Sequence, residues 1–333
     1  MISSQYMTQL ILPISCLIYI LLIPSLNLQR QIFFIEKDPA LSYPFANDQI
    51  SHLTNLVLSI TIPLILISII KYFHDRNSEK ITTPAWLLIG LLQCLSITLA
   101  IYTSLKTFIG YPRPDFFSVC NYNGYNQALM TGNYTYYDSL SHFGHKGNVA
   151  NCLASQQSIT YGFQSLPSGH ACLSFASMTY TVFLIRFLFD RGSKPQWKWF
   201  SFSGLVSLSP LYFSVWVSFT RIQDYKHRPI DVTIGTLIGV FIAYLSWQNI
   251  VYYGKLQIKD NNKDKNKNAD QPRVPLFWNS HYLSFNDEPL QLTPFQSPRS
   301  TLPPTEHTHL LSIQSAPTSP ESPVRYNLHP VDV

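Results

Sequence analysis

Long apolar runs alternate with short polar connections along the chain, and the runs are long enough to cross a bilayer as helices. Six of them approach the roughly 20 residues that a 30 Å hydrocarbon core demands: Gln9 to Leu28, His52 to Phe73, Pro84 to Leu105, Ala171 to Phe189, Phe200 to Ser218, and Val232 to Tyr253. The first lacks the basic segment that precedes the core of a secretory signal, so it reads as a span. The pattern therefore predicts an all-α protein, a six-transmembrane helix bundle occupying residues 1–254. At about Lys255 it stops. From there to Val333 the chain is rich in Pro, Ser, Thr, Asn and charge without apolar periodicity, which predicts a disordered tail over residues 255–333.

Composition agrees with this setting: 46% of the 333 residues are hydrophobic and only 12% are charged, against about a quarter charged in soluble domains. The basic residues also take sides. With a cytoplasmic amino terminus, the cytoplasmic connections hold Lys71, Arg76 and Lys80, then Arg186, Arg191, Lys194 and Lys198, then Lys255 to Lys267. Outside the polar clusters described next and their neighbours, the opposite side holds Arg30, Lys37 and Lys146. This asymmetry obeys the positive-inside rule and predicts an integral multi-pass membrane protein with both termini cytoplasmic. The net charge of +5 then reflects topology. No basic stretch is interleaved with aromatics, so no nucleic-acid partner is expected. In the tail, Thr293, Ser297, Ser319 and Ser322 each precede proline; they are candidate sites for kinase or adaptor contacts, with a passive extension as the alternative.

Three polar clusters interrupt the apolar chain: Lys106 with Arg113-Pro114, then Pro167-Ser168-Gly169-His170, then Thr220-Arg221 with His227 and Asp231. Each lies at the border of a predicted span, and alternating spans bring all of them to the same non-cytoplasmic face. Arg113 and Arg221 offer planar forks of donors for phosphate oxygens, and Lys106 adds a point charge. Pro112 and Pro114 hold Arg113 on a stiff, non-helical segment. Ser168 is a favoured N-cap type and Gly169 admits a close ligand at a helix start, where free amides favour anions. His170 has the proton affinity of a general acid. Pro229 predicts a helix start that puts Asp231 in the first turn, one helical turn after His227. Taken singly, these features also read as lipid-headgroup anchors, a capped helix and a loop-tying His-Asp pair.

The long connection between Lys106 and His170 carries marks of a non-cytoplasmic compartment. Asn133-Tyr134-Thr135 is an N-glycosylation sequon. Cys120 and Cys152 are the cysteines outside the apolar runs, and an oxidising lumen or exterior permits a disulfide between them. Two unpaired thiols remain the alternative. Cys16, Cys94 and Cys172 fall within spans, as small packing residues would.

In order and spacing, the clusters together resemble the three-part signature of the type 2 phosphatidic acid phosphatase superfamily, the lipid phosphate phosphatases, including the fungal diacylglycerol pyrophosphate phosphatases. The resemblance covers roughly Gln9 to Tyr253. It departs at one position, where Thr220 stands for the usual serine and keeps the hydroxyl. What it implies is metal-independent hydrolysis, without a cofactor, of lipid phosphomonoesters or pyrophosphates at a lumenal or extracellular face. His227, aligned by Asp231, would attack phosphorus to form a phosphohistidine; His170 would protonate the leaving oxygen. Lys106, Arg113, Ser168, Gly169 and Arg221 would hold the phosphoryl oxygens. The candidate substrates are phosphatidate, lysophosphatidate and diacylglycerol pyrophosphate, with sphingoid or polyprenyl phosphates on the same chemistry. A noncatalytic phospholipid-binding membrane protein that signals through its tail is the rival. No convincing carboxylate cluster for magnesium lies on the active face, although Asp115 and Asp224 are there.

Overall fold

The computed structural model describes residues 2–23, 28–76, 84–189 and 202–265. Every named element among them is helical; residue pairing of the β type is limited to two isolated bridges, Ile35 with Lys146 and Tyr122 with Cys152. The long helices are α1 (Ile2–Leu22), α2 (His52–Arg76), α3 (Pro84–Ile109), α8 (Gly169–Phe189), α10 (Pro210–Gln223) and α11 (Pro229–Lys265). Short helices fill the connections: α4 (Phe116–Cys120), α5 (Tyr125–Thr131), α6 (Thr135–Leu140), α7 (Gln156–Gly162) and α9 (Phe202–Ser207).

Among the described residues, three helices are long and apolar enough to cross a membrane, at His52–Tyr72, Ala85–Ile109 and Pro229–Tyr253; Met7–Leu22 is a shorter apolar helix. Three expected spans fall short of this: the first is that shorter helix, ending at Leu22 rather than Leu28, and the other two differ for physical reasons. α8 packs against α2, α3, α10 and α11, and as the central helix it presents small hydroxyl residues to its neighbours, Ser174 and Ser177 among them. Such residues lower its hydropathy while letting helices approach closely. The run from Phe200 to Ser218 is broken, because Pro210 has no amide to continue a helix and instead starts α10. At the carboxyl end α11 continues past Tyr253, through a polar stretch, to Lys265. The rest of the tail, with its Ser-Pro and Thr-Pro sites, lies outside the described residues.

The bundle core is aromatic and aliphatic. Trp86, Leu87, Leu173, Ala176, Tyr180, Ala243, Trp247 and Ile250 join α3, α8 and α11, with the Tyr180 hydroxyl donating to the Leu87 carbonyl at 2.8 Å. Within the same helices a polar knot replaces apolar packing: Asn249 Nδ2 donates to Gln9 Oε1 and Gln93 Oε1, each at 2.9 Å, tying α11 to α1 and α3.

A second core lies under the cap formed by α4 to α7, where Phe34, Phe116, Phe117, Tyr122, Tyr125 and Phe163 cluster. The Cys120–Cys152 disulfide is part of it, across Cα atoms 5.1 Å apart. Buried Glu36 fastens the connection after α1 to this cap, accepting from the Tyr122 hydroxyl at 2.6 Å and from the His142 amide at 2.7 Å.

Candidate active site

Four helix ends supply the polar clusters: the last turn of α3 carries Lys106, α8 starts at Gly169, the last turn of α10 carries Arg221 and the first turn of α11 carries Asp231. The alternation of helix direction that makes an antiparallel bundle is what collects them at one end. All of the cluster side chains that carry charge or a ring nitrogen are buried, Arg113, Arg221 and His170 to 1% exposure.

Lys106 and Arg113 converge on one acceptor, the Gln164 carbonyl, at 2.8 and 3.5 Å. The Arg113 amide donates to the Gly162 carbonyl at 2.8 Å, so the proline-braced segment is pinned to the end of α7. Its guanidinium lies 3.6 Å from the centre of the Tyr161 ring, a cation–π contact, and its Nε is buried without a hydrogen-bond partner.

At the second cluster the Ser168 amide donates to the Asp231 carbonyl at 3.0 Å, joining the starts of α8 and α11. The Ser168 hydroxyl is buried and unpartnered, so it makes no N-cap bond. Gly169 packs closely: a Cβ there would stand 3.1 Å from the Tyr102 ring, which would have to give by a few tenths of an ångström. His170 Nε2 lies 3.0 Å from the Ile50 carbonyl, its ring is 4.2 Å from that of His52, and its Nδ1 is buried without a partner.

The third cluster turns back on itself after α10. Tyr225 takes the left-handed φ of +54°, which ends the helix and lets the Lys226 and His227 amides both donate to the Arg221 carbonyl, at 3.1 and 3.2 Å. The Thr220 hydroxyl accepts from Arg221 Nε at 3.2 Å. His227 Nδ1 and Asp231 Oδ2 stand 4.0 Å apart, close but not hydrogen-bonded. That oxygen is occupied instead by the Ser165 hydroxyl at 2.6 Å and the Arg228 amide at 2.9 Å, while Asp231 Oδ1 and His227 Nδ1 are both buried and unpartnered. Burial pushes the His227 imidazole well below its ordinary value of 6.5, and the charges of Lys106 and Arg113 push the same way. A neutral imidazole among cations is suited to attack rather than to carry charge.

Several contributors carry no sequence motif. Arg221 has two carboxylate partners, Asp224 at 2.7 Å and Asp48 at 2.9 Å. Lys226 makes an ion pair with Asp115 at 2.7 Å, both side chains buried, and its ammonium lies 3.9 Å from the centre of the Phe45 ring. Burial raises the Asp115 carboxyl against the pull of Lys226. Asp115 and Asp224 are thus each ion-paired to a cation, and among the described residues no group of three or more His, Cys, Asp or Glu converges as a metal site. Phe45 and Tyr161 also line a cavity of about 540 Å³ with Ser118, Asn126 and Met130. A signal for Lys226 and Asp115 existed in their adjacency to His227 and to Arg113-Pro114; for Asp48 there was none.

Asn133 lies exposed between α5 and α6, where its Oδ1 accepts from the Thr135 amide at 3.1 Å and the Thr135 hydroxyl at 2.7 Å. It is on the same cap as the disulfide.

The chain matches the PAP2 superfamily over residues 87–255, from α3 to α11 and through all three clusters. This chain belongs to the PAP2 superfamily. Among its relatives, the probable diacylglycerol pyrophosphate phosphatase 1 of Schizosaccharomyces pombe is 28% identical over 220 residues, covering 65% of this chain and 71% of that protein. The probable lipid phosphate phosphatase 4 of Arabidopsis thaliana is 30% identical over 216 residues, 64% of this chain and 62% of its own. Diacylglycerol pyrophosphate phosphatase 1 of Saccharomyces cerevisiae is 26% identical over 225 residues, 67% and 71% of the two chains. No solved structure matches the chain.

Proposed function

We propose that this PAP2 superfamily member is an integral membrane lipid phosphate phosphatase. One observation carries the reading: two buried histidines, His170 and His227, each with an unpartnered Nδ1, stand among the cations Lys106, Arg113 and Arg221 at one end of an apolar bundle. Phosphoryl transfer asks chiefly for positioning and for charge that offsets the transition state. Lys106, Arg113, Arg221, the Ser168 hydroxyl and the Gly169 amide supply both. His227, steadied by Asp231, attacks phosphorus; the new N–P bond replaces the P–O bond to the lipid, whose oxygen takes a proton from His170, an imidazole that burial and neighbouring cations push down to about 2 and that the phosphate dianion must bring to its protonated form on binding. Water then attacks the phosphohistidine and gives a proton to His170, releasing orthophosphate.

The substrate is read from the setting. A site at the end of apolar helices accepts a terminal phosphate while acyl chains stay in the bilayer, which fits phosphatidate, lysophosphatidate or diacylglycerol pyrophosphate, the last named in two relatives. The layout proposed for the membrane has six crossings, with α9 and α10 sharing one, cytoplasmic termini, and the cap with Asn133 on the lumenal or extracellular side. The basic connections and the apolar helices support it.

The decisive measurement is phosphate release from a panel of lipid phosphates in mixed micelles with excess chelator. The parent should be active and blocked by vanadate, and His227→Ala and His170→Ala should each lose at least about 10³-fold. Activity that vanishes in chelator yet survives both substitutions would sink the mechanism; a parent with no activity on any lipid phosphate would favour the noncatalytic lipid-binding reading.

A further inference from the structure

The segment joining α1 to α2 reaches into the site at three consecutive residues. Asp48 pairs with Arg221, Gln49 donates to both oxygens of Asp224, through its amide at 3.0 Å and its side chain at 2.7 Å, and the Ile50 carbonyl meets His170 Nε2. None of these residues belongs to the three clusters. The two carboxylates on Arg221 differ in kind. The Asp224 side chain is 4% exposed, follows Arg221 by three residues, and is cross-tied by Gln49. The Asp48 side chain is 28% exposed and is held at Arg221 Nη1 alone. One anchors the guanidinium; the other covers its outward edge, where a phosphate oxygen would bind.

We infer that Asp48 is a resident counter-anion which the substrate phosphate must displace from Arg221, and that it thereby selects terminal phosphates over phosphodiesters. The inference rests on the reading that Arg221 binds the phosphoryl group. Displacing a monoanionic carboxylate with a phosphomonoester, which carries up to two negative charges, gains attraction toward Lys106, Arg113 and Arg221 together. Displacing it with a singly charged phosphodiester gains none, and at close range in a buried site such a difference of one charge is large. The bilayer around the site is made mostly of phosphodiester headgroups, so an unprotected Arg221 would be occupied by them. Gln49 and Ile50 keep the segment in place while the Asp48 side chain swings outward, so the exchange needs no movement of the bundle.

The test uses the full-length protein in mixed micelles, with His227→Ala run alongside as the control on the underlying reading. If His227→Ala keeps parental activity, that reading fails whatever Asp48 does. If it is inactive, Asp48 is tested on its own terms. Asp48→Asn should lower KM for phosphatidate by about threefold, the scale of one part-exposed ion pair, with a smaller change in kcat. Orthovanadate should inhibit it at correspondingly lower concentration, and added phosphatidylglycerol, inert toward the parent, should become a competitive inhibitor. Asp48→Glu should behave as the parent. Asp48→Ser removes the charge with a smaller side chain and must move KM in the same direction, which covers the case of an unstable Asn variant, since damage to the fold weakens binding rather than tightening it. KM unchanged or raised in the charge-removing variants, or continued indifference to phosphatidylglycerol, overturns the inference.

Discussion

Lys226 and Asp115 form an ion pair with exposures of 2% and 0%, a setting in which each charge is tolerated only because the other is present. Removing one partner of such a pair leaves a bare buried charge and costs about 3–5 kcal/mol, whereas replacing both with apolar groups of similar size is close to neutral. Lys226→Met should therefore destabilise the protein by about that amount in detergent unfolding, and Lys226→Met with Asp115→Leu should recover most of it. An equal loss in the single and double variants would mean that the pair contributes only packing. The pair also fastens the segment after Arg113-Pro114 to the residue before His227, so the single variant should lose activity at temperatures where it is still folded. Neither partner was legible as a pair: they are 111 residues apart, and nothing in the periodicity of the chain links them. The same holds for Asp48 and Arg221. Candidate phosphate-binding residues are recognisable by type and spacing, but the groups that hold those residues are chosen by whatever the fold brings alongside.

At the scale of helices, the site depends on where each one begins and ends, and this was largely readable. Pro229 marks the start of α11 and Gly169 that of α8, because both residues have backbone reasons to stand there. The breaking of the fifth apolar run at Pro210 was missed since a hydropathy window averages over a single proline. Also unreadable was how tightly α8 and α11 meet. A Cβ built on Gly235 would stand 2.7 Å from the Ser168 carbonyl oxygen and 3.2 Å from the Ala171 Cβ, so α11 can lie against the start of α8 only with glycine at that position. Gly235→Ala should push the two helix starts apart and carry Asp231 away from Ser168 and His170. Displacements of about 1 Å at a reacting centre cost on the order of 10²-fold, so kcat should fall by that order with little loss of folded protein. A variant with parental kcat would show that the helix starts have slack, and that the Ser168–Asp231 contact does not set the geometry of the reaction.

For the molecule as a whole, three features independent of one another bear on which side of the membrane the cap and the site occupy. In the sequence, basic residues concentrate in the connections expected to face the cytoplasm; Cys120 and Cys152 are bonded within the cap; Asn133 is exposed on it with its side chain engaged by Thr135. A disulfide persists in oxidising compartments and a glycan is added only on the lumenal side, so a formed disulfide and an occupied Asn133 would both agree with the orientation proposed above. Glycosidase treatment of the protein from a eukaryotic host should increase its gel mobility, and Asn133→Gln should abolish that shift while leaving phosphate release unchanged. An acceptor sequon engineered into the connection between α2 and α3 should remain unmodified. The reverse pattern, with the engineered acceptor glycosylated and Asn133 bare, would invert the protein in the membrane and put the site in the cytosol. The disulfide gives a second readout with the same sign: Cys120→Ser should cost about 4 kcal/mol, as expected for opening a loop of 32 residues, but only in protein made in an oxidising compartment. Protein made in a reducing cytosol would carry two thiols there, and the same substitution would then cost little, so comparing the two preparations separates a cap that folds outside the cytosol from one that does not.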